Sequence, residues 1–295
     1  MYEYGNARIA ALRGRLLDGP SLRRLVEAGS AAELLVLLER AEDWRPILRE
    51  VAPLAADPQS AFEVSVERHR SARLGALPRW YAPPARGLVE ALVLPLDAQR
   101  VVALLRRRRA GETPEAVGAT IVGGALLGTA QLGAVGRAPT FAEAVRQLAR
   151  LGLVPANAVA SLAELREVGR AWEPVEAGLM EAFDRARLAR VAGRGGDAAR
   201  VGAIIAAERA DREAVAEELR GDGTSAAAHV ERATTLARLD RLAAAGPRDP
   251  LGIGAVAGYV AAVEAQAIRL RAILARVAAG WSSQLVGSYM TARTT

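Results

Sequence analysis

The side chains that most often carry out chemistry in proteins are scarce in this sequence. It contains no cysteine and no lysine, and its two histidines, His69 and His229, stand far apart in the chain. Without cysteine there is no disulfide, thiolate metal site or thiol nucleophile, and without lysine there is no Walker A phosphate loop or Schiff-base amine. Neither histidine has a second histidine or a carboxylate pair at ligand spacing, so we expect both on helix surfaces.

Carboxylates offer the remaining route to acid–base catalysis, and Glu217 and Glu218 are neighbours in the chain. Adjacent residues on a helix point to different faces, so this pair does not converge on one substrate. All 39 basic residues are arginine, and arginine binds anions but rarely acts as a base because it stays charged. We expect no catalytic residue, no metal site and no cofactor; a helical enzyme with two carboxylates in one pocket remains an alternative.

The charge balance does not point to nucleic acid. The net charge is +6 over 295 residues, which is mild for a chain of this length. The dense basic run at 106–109 has no aromatic residues interleaved with it, as a nucleic-acid site would. We therefore expect this run to be the solvated C-terminal end of a helix that stops near Gly111.

Residues 116–136 carry no charge and are long enough to cross a bilayer. The segment contains six glycines and few large side chains, so its insertion into a membrane is weakly favoured. We expect a buried or loop-broken soluble segment, and we keep a single membrane span as the alternative. The N-terminus lacks the basic and apolar regions of a signal peptide.

Composition favours an all-α protein. Apolar residues make up 51% of the chain but aromatic residues only 4%, and its abundant alanine, leucine, arginine and glutamate are good helix formers. Ser30, Thr140 and Ser161 each stand three residues before a glutamate, the capping-box spacing at a helix start. The helical block 86–109 contains Pro95, where we expect a break.

The longest regular pattern lies in residues 249–285. Its apolar stripe, at three- and four-residue spacing, comprises Ile253, Val256, Val260, Val263, Ala267, Leu270, Leu274 and Val277. Gly246 and Pro247 should end the preceding helix, and Pro250 should lie in the first turn of this one. Of the charged residues off the stripe, we favour local pairing of Glu264 with Arg269 and Arg271 over contacts to carboxylates of a partner.

A weak internal repeat divides the chain into thirds. Residues 97–106 run from Asp97 to the Leu-Arg pair that ends at Arg106, and residues 211–220 run likewise from Asp211 to Arg220. Residues 4–13 end in the same pair, with tyrosine in place of the aspartate. Chance matching in an arginine- and leucine-rich chain is the alternative to a true repeat.

The spacing of the repeat predicts three helical modules of about 100 residues each. We place them at 1–85, 86–192 and 193–295. Part of the closing helices of the first module should come from the C-terminus.

Three stretches resemble the C subunit of the V-type, or archaeal A-type, ATPase/ATP synthase, the counterpart of the d subunit of the eukaryotic vacuolar enzyme. Tyr4-Gly-Asn-Ala-Arg8 is similar to the start of that family, and Leu96–Arg106 is similar to its recurring helix. Asp249-Pro-Leu-Gly-Ile-Gly254, together with Tyr259, Glu264 and Arg269-Leu-Arg271, is similar to its most characteristic stretch. The asparagine of the recurring helix is Arg100 in the second module and Ala214 in the third, and the glycine-rich segment is unusual for the family.

The resemblance implies both a fold and a role. Family members are all-α, with three modules around a pseudo-threefold axis that form a funnel. They are non-catalytic central-stalk subunits, sockets that link the rotor shaft to the membrane rotor ring. They transmit torque for proton or sodium transport coupled to ATP synthesis or hydrolysis.

The implied partners are shaft subunits of the D and F types, the ring of proteolipid subunits and the stator membrane subunit, at the cytoplasmic face of the membrane. No cofactor, nucleic acid or small-molecule substrate is implied. The structural or interaction candidates are Glu264, Arg269, Arg271, Asp97, Arg106, Asp211 and Arg220. The main alternative is a generic helical-array adaptor unrelated to a rotary motor.

Overall fold

The computed structural model describes residues 2–119, 121–162, 172–192, 195–222 and 226–281. Within these ranges all regular structure is helical and no strand occurs, which confirms the predicted all-α class. The α-helices are α1 Glu3–Arg13, α2 Gly19–Glu27, α3 Ala31–Glu39, α4 Arg45–Val51, α5 Pro58–Ala76, α6 Ala85–Arg109, α7 Pro114–Ala119, α8 Thr129–Gly136, α9 Phe141–Arg150, α10 Trp172–Val191, α11 Gly195–Asp222, α12 Ala226–Arg248 and α13 Ile253–Ala279. Short 3-10 helices lie at Leu77–Trp80 and Ala156–Ala158.

Two of the predicted helix caps are present. The Ser30 hydroxyl accepts a hydrogen bond from the Glu33 backbone N–H at 3.2 Å, at the start of α3. The Thr140 hydroxyl accepts from the Glu143 backbone N–H at 3.1 Å, at the start of α9. Each bond satisfies one of the backbone donors that a helix leaves free in its first turn. The third cap falls outside the described residues, because Glu164 is not among them.

The two predicted helix breaks at proline are wrong. The helix α6 runs without interruption through Pro95, and α12 continues through Gly246 and Pro247 to Arg248. Pro247 stands in the last turn of α12, one residue before its end. Pro95 lies in the middle of α6, and its tolerance depends on arginine side chains from other helices, described below.

The buried apolar side chains form three clusters. The first joins α3, α4 and α5 to the second half of α13 and includes Leu34, Leu38, Trp44, Phe62, Leu270 and Ile273. The second joins the first halves of α6 and α13 to α11 and α12 and includes Leu88, Leu92, Val201, Leu242, Val256 and Tyr259. The third joins the second half of α6 to α8, α9 and α10 and includes Leu105, Leu132, Leu148, Leu179 and Phe183. The long helices α6 and α13 therefore each contribute to two clusters.

The apolar stripe of the last helix is confirmed over its described length. From Ile253 to Leu274 every stripe residue is buried, and Val277 is half-buried. The helix begins after Gly252, so Pro250 precedes it rather than lying in its first turn. The Asp249 carboxylate accepts a hydrogen bond from the Gly254 N–H at 3.1 Å and so binds a free donor of the first turn.

One helix of the described residues, α13, is long and apolar enough to span a membrane by length and composition. Its most apolar window has a mean hydropathy of 1.3, and 72% of that window is buried inside the fold. The core helix of a soluble protein passes the same test, so the observation is weak support for a span.

The uncharged segment 116–136 is divided among α7, a loop and α8, as the loop-broken prediction expects.

Glycines allow α12 and α13 to approach closely. A Cβ atom on Gly254 would collide with the Ala245 carbonyl oxygen and would lie 2.7 Å from the Asp249 carbonyl oxygen. A Cβ atom on Gly258 would lie 3.2 Å from the Cα atom of Gly246. The glycines in the stretch that carries the family resemblance are therefore packing residues at a helix crossing.

We predict that Gly254→Ala lowers the free energy of unfolding by about 1–3 kcal/mol, because the new methyl group must displace backbone atoms. Gly196→Ala is the matched control, because a Cβ atom there meets nothing within 4 Å. Both changes carry the same gain in helix propensity, so their difference isolates the collision. Urea unfolding followed by circular dichroism measures the stability of both variants. Equal stability of the two variants would contradict the close crossing of α12 and α13.

Candidate functional site

Ten charged side chains form a largely buried ion-pair network across six helices. Its members are the carboxylates Glu67, Asp184, Glu208 and Glu264 and the guanidinium groups Arg70, Arg100, Arg187, Arg212, Arg238 and Arg271. They belong to α5, α6, α10, α11, α12 and α13. We call this set the ion-pair network. It is the largest concentration of chemically capable groups in the described part of the chain.

One end of the network is built around Glu67 on α5. Its carboxylate contacts Arg100 of α6 and Arg271 of α13, and Arg70 of its own helix lies 3.5 Å away. Arg70 continues the network, because it also lies 3.0 Å from Glu264 of α13. Three helices are thus joined through two side chains of α5.

The other end of the network is centred on Glu208 of α11. Its carboxylate lies 2.6 Å from Arg187 of α10 and 3.1 Å from Arg238 of α12. Arg187 also lies 3.1 Å from Asp184, which in turn pairs with Arg212 of α11. The charges alternate in sign from one residue to the next, so each carboxylate lies between at least two guanidinium groups.

Arg238 connects the two ends. Besides Glu208 it lies 3.7 Å from Glu264, which already contacts Arg70. Arg238 is 8% exposed and Glu264 is 3% exposed, so solvent screens this link weakly. The network is therefore continuous from Arg271 on α13 to Arg212 on α11.

One arginine of the network replaces the donor lost at Pro95, and a second binds the next carbonyl. Proline has no N–H, so the carbonyl four residues earlier, that of Ala91, loses its normal donor. The Nε–H of Arg187 donates to this carbonyl at 2.9 Å, and Arg238 donates to the neighbouring Leu92 carbonyl at 3.2 Å. An unpaired buried carbonyl would cost about 1–3 kcal/mol. Arg187 thus supplies the donor that Pro95 removes from α6.

The guanidinium groups of the network favour the charged form of Glu208. Burial by itself raises the pKa of Glu208, but Arg187 and Arg238 oppose it, and the net pKa lies below its usual range. A carboxylate with a lowered pKa and guanidinium partners is a poor general base. Among the described residues no group of three His, Asp or Glu side chains is placed to hold a metal ion. The arrangement is suited to joining helices rather than to acid–base chemistry.

The structure places the C-terminal candidates in a different pairing from the one expected. Glu264 contacts Arg70 and Arg238 on neighbouring helices, and Arg271 contacts Glu67 on α5. The predicted local pair between Glu264 and Arg271 is therefore wrong, because seven residues span about 10.5 Å along a helix, too far for a direct ion pair. Arg269 is half-buried on the same helix.

The repeat candidates occupy unlike environments. Asp97 is fully buried, whereas Asp211 is half-buried and pairs with Arg241. Arg106 pairs with Glu176 of α10, with its Nε 3.0 Å from Glu176 Oε2. The side chain of Arg220 lies outside the described part of the chain.

Asp97 holds the glycine-rich segment in place. Its two carboxylate oxygens accept hydrogen bonds from the Leu126 and Leu127 N–H groups, each at 2.9 Å. Burial raises the pKa of Asp97 to about 6, and these bonds oppose that rise. A Cβ atom on Gly124 would collide with the Asp97 carboxylate, so glycine is required for this approach. Asp97 and the glycine-rich segment, which the sequence analysis treated separately, are thus in direct contact.

His69 is not a surface residue, and that prediction is wrong. It is 2% exposed, and its ring stacks on Trp44 with centroids 4.1 Å apart. Burial lowers its pKa to about 4, so the ring is neutral and its Nε2 accepts a hydrogen bond from the Arg73 Nε–H at 3.4 Å. The apolar stripe of α5 turns His69 inward, and one isolated histidine gave no sign of this. The side chain of His229 lies outside the described residues.

The sequence predictions missed most of the network, namely Glu67, Arg70, Arg100, Asp184, Arg187, Glu208, Arg212 and Arg238. A signal was present for some of them. Glu208 continues the spacing of the buried Val201 and Ile205, and Arg187 follows Leu179 and Phe183 at four-residue intervals. A charged residue at a buried position of a helix must find a partner, so such positions indicate interhelical ion pairs.

We predict that Arg187→Met lowers the free energy of unfolding by about 3 kcal/mol or more, because it leaves buried carboxylates and the Ala91 carbonyl short of partners. The control is Arg185→Met on the same helix, whose side chain is 48% exposed and lies 3.8 Å from Glu181. Such a surface pair is worth less than about 1 kcal/mol. Denaturant unfolding measures the free energy of unfolding of both variants. Similar losses in the two variants would show that burial of the network contributes nothing to stability.

We predict that His69 makes the protein less stable as the pH falls. Its pKa is about 4 in the folded state and 6.5 in its ordinary state, so below pH 6.5 the unfolded chain takes up a proton that the folded chain refuses. Between pH 7 and pH 4.5 this should cost about 2 kcal/mol.

His69→Phe keeps the stacking on Trp44 and removes the titration. Urea unfolding at both pH values should show that the variant loses less free energy of unfolding between pH 7 and pH 4.5 than the natural chain does. Identical losses would contradict a buried, neutral His69. All other titrating groups are shared by the two proteins and cancel in the comparison.

The comparisons with known proteins agree with the resemblance read from the sequence. A model of the ATP synthase (C/AC39) subunit family matches residues 5–221, which include the second resembling stretch and all of the first except Tyr4, and which stop before the third. The C subunit of the A-type ATP synthase of Methanocaldococcus jannaschii is 27% identical over 147 residues. That alignment covers 50% of this chain and 36% of the relative's length. Since the family model spans well over half of the sequence, this chain belongs to the ATP synthase (C/AC39) subunit family.

Proposed function

We propose that this chain is a non-catalytic central-stalk subunit of a rotary V/A-type ATPase or ATP synthase. It acts as a socket between the central rotor shaft and the membrane rotor ring, and it transmits torque for proton or sodium transport. The observation that carries the proposal is the family match over residues 5–221. The curated relative, named as the C subunit of an A-type ATP synthase, supports the same assignment.

The ion-pair network supports a mechanical role. A part that transmits torque must resist sliding between its helices, and charged pairs across helices fix their relative positions. Arg187, Glu208 and Arg238 each contact groups on at least two other helices. Directional contacts of this kind allow fewer alternative packings than apolar contacts alone.

Two of the three hydrophobic clusters support the proposed modules 1–85, 86–192 and 193–295. The third cluster lies wholly within 86–192, whereas the second draws side chains from all three ranges. The first cluster draws Leu270 and Ile273 of α13 into the N-terminal helices, as a closing contribution from the C-terminus would require. The proposed partners are the D- and F-type shaft subunits and the proteolipid ring, with the stator membrane subunit adjacent. The proposed location is peripheral, at the cytoplasmic face of the membrane.

We predict that removing this subunit from the assembled complex uncouples it. ATP hydrolysis by the soluble head should continue, whereas ATP-driven ion transport in reconstituted vesicles should fall to the level of leaky controls, because torque no longer reaches the ring. Adding the purified chain back should restore transport. Transport that persists without the subunit would contradict the proposal.

A second measurement separates this role from that of an unrelated adaptor. The purified chain should bind both the isolated shaft subunits and the detergent-solubilised ring, and it should show no ATPase activity of its own. Failure to bind the shaft subunits, or failure to bind the ring, would overturn the proposed function.

A further inference from the structure

A cleft of about 810 Å³ opens between α1, α4, α5 and the loop before α8. Half-buried apolar side chains line its floor, including Leu12, Ile47, Trp80 and Val122. The cleft lies outside the ion-pair network and shares no residue with it. It is a separate feature of the surface that the buried contacts do not explain.

The rim of the cleft is cationic. It carries four guanidinium groups, Arg8, Arg15, Arg68 and Arg73, against two carboxylates, Asp43 and Glu50. Arg15 lies 3.5 Å from Asp43, which also pairs with Arg73, and Arg68 lies 3.2 Å from Glu50. The guanidinium of Arg8 lies 5.0 Å from the centre of the Trp80 ring. Two guanidinium groups share one carboxylate, so the rim keeps an excess of positive charge.

Both sides of the cleft are held in place before anything binds. On one side the buried, neutral His69 accepts from Arg73 and so fixes its direction. On the other side Val122 and Gly123 belong to the glycine-rich segment, which is fixed by hydrogen bonds to Asp97 and by the Ser71 hydroxyl, which donates to the Gly123 carbonyl. A preformed surface loses little conformational entropy on binding.

We propose that this cleft binds an acidic, amphipathic segment of the central-shaft subunits; the inference rests on the proposed function. Arginine and aromatic side chains around an apolar centre are the composition of a protein interface. Carboxylates of the segment would form charge-assisted hydrogen bonds with the rim guanidinium groups, and its apolar face would cover Leu12, Ile47 and Val122.

A small anion fits the cleft less well than a protein segment does. An anion site needs several donors that converge in an enclosed space, whereas these guanidinium groups stand on a broad rim. Arg15 is 55% exposed and already bound to Asp43. The apolar floor would gain nothing from inorganic phosphate, and it gains from burial beneath a partner's apolar face.

The test is a charge reversal with a matched control. Arg8→Glu combined with Arg15→Glu changes the cleft, and Arg23→Glu combined with Arg24→Glu makes the same change in net charge on the exposed surface of α2, away from the cleft. Calorimetry with the purified shaft subunits measures the dissociation constants at low and at high salt. Thermal unfolding checks that both variants remain folded.

We predict that the cleft variant binds the shaft subunits at least about tenfold more weakly than the natural chain and loses most of the salt dependence of binding. The control variant should stay within about twofold of the natural chain. Equal binding by the natural chain and the cleft variant would overturn the cleft proposal and leave the proposed function standing. Absence of binding between the natural chain and the shaft subunits would overturn the proposed function itself, because a socket must bind both shaft and ring.

Inorganic phosphate is the probe for the competing class of ligand. One outcome contradicts the proposal. If phosphate binds the natural chain but not the cleft variant, while both proteins bind the shaft subunits equally, the cleft is an anion site. If the shaft subunits protect Arg8 and Arg15 from an arginine-modifying reagent and phosphate does not, the proposal is supported.

Discussion

The structure depends on the Ala91 carbonyl, which Pro95 leaves without its helical donor. This group lies inside the fold, where water does not replace the missing N–H, so a side chain must supply it. Arg187 does so from α10, and Arg238 of α12 donates to the neighbouring Leu92 carbonyl. Each arginine carries a buried positive charge, which requires a carboxylate such as Glu208 of α11. One proline in α6 thereby accounts for the Arg187–Glu208 pair on two other helices.

The same contacts explain why a chain rich in buried charged groups suits the proposed mechanical role. Guanidinium groups hold the pKa of Glu208 below its usual range, and this arrangement opposes proton transfer at that carboxylate. What the network provides instead is fixed geometry between α5, α6 and α10 to α13. The cleft complements this interior, since Arg8 and Arg15 are exposed at its edge and its walls are held by His69 and Asp97.

Local rules predicted much of the fold, and contacts distant in sequence account for what they missed. Ser30 and Thr140 cap their helices because a cap depends on neighbours within three residues. The stripe of α13 is buried because helical periodicity is a local property. A break of α6 at Pro95 was predicted wrongly, because the side chain that replaces the lost donor belongs to Arg187, 92 positions away in the chain.

The same difference in range applies to the site. Glu264 was found as a candidate, but its partners Arg70 and Arg238 lie on other helices, and no spacing within α13 identifies them. A double-mutant cycle between Pro95→Ala and Arg187→Met tests the central claim most directly, because alanine at position 95 returns an N–H to the Ala91 carbonyl. Arg187→Met should then cost about 1 kcal/mol less in the Pro95→Ala background than in the natural chain. An equal cost in both backgrounds would contradict the claim that Arg187 supports the helix at Pro95.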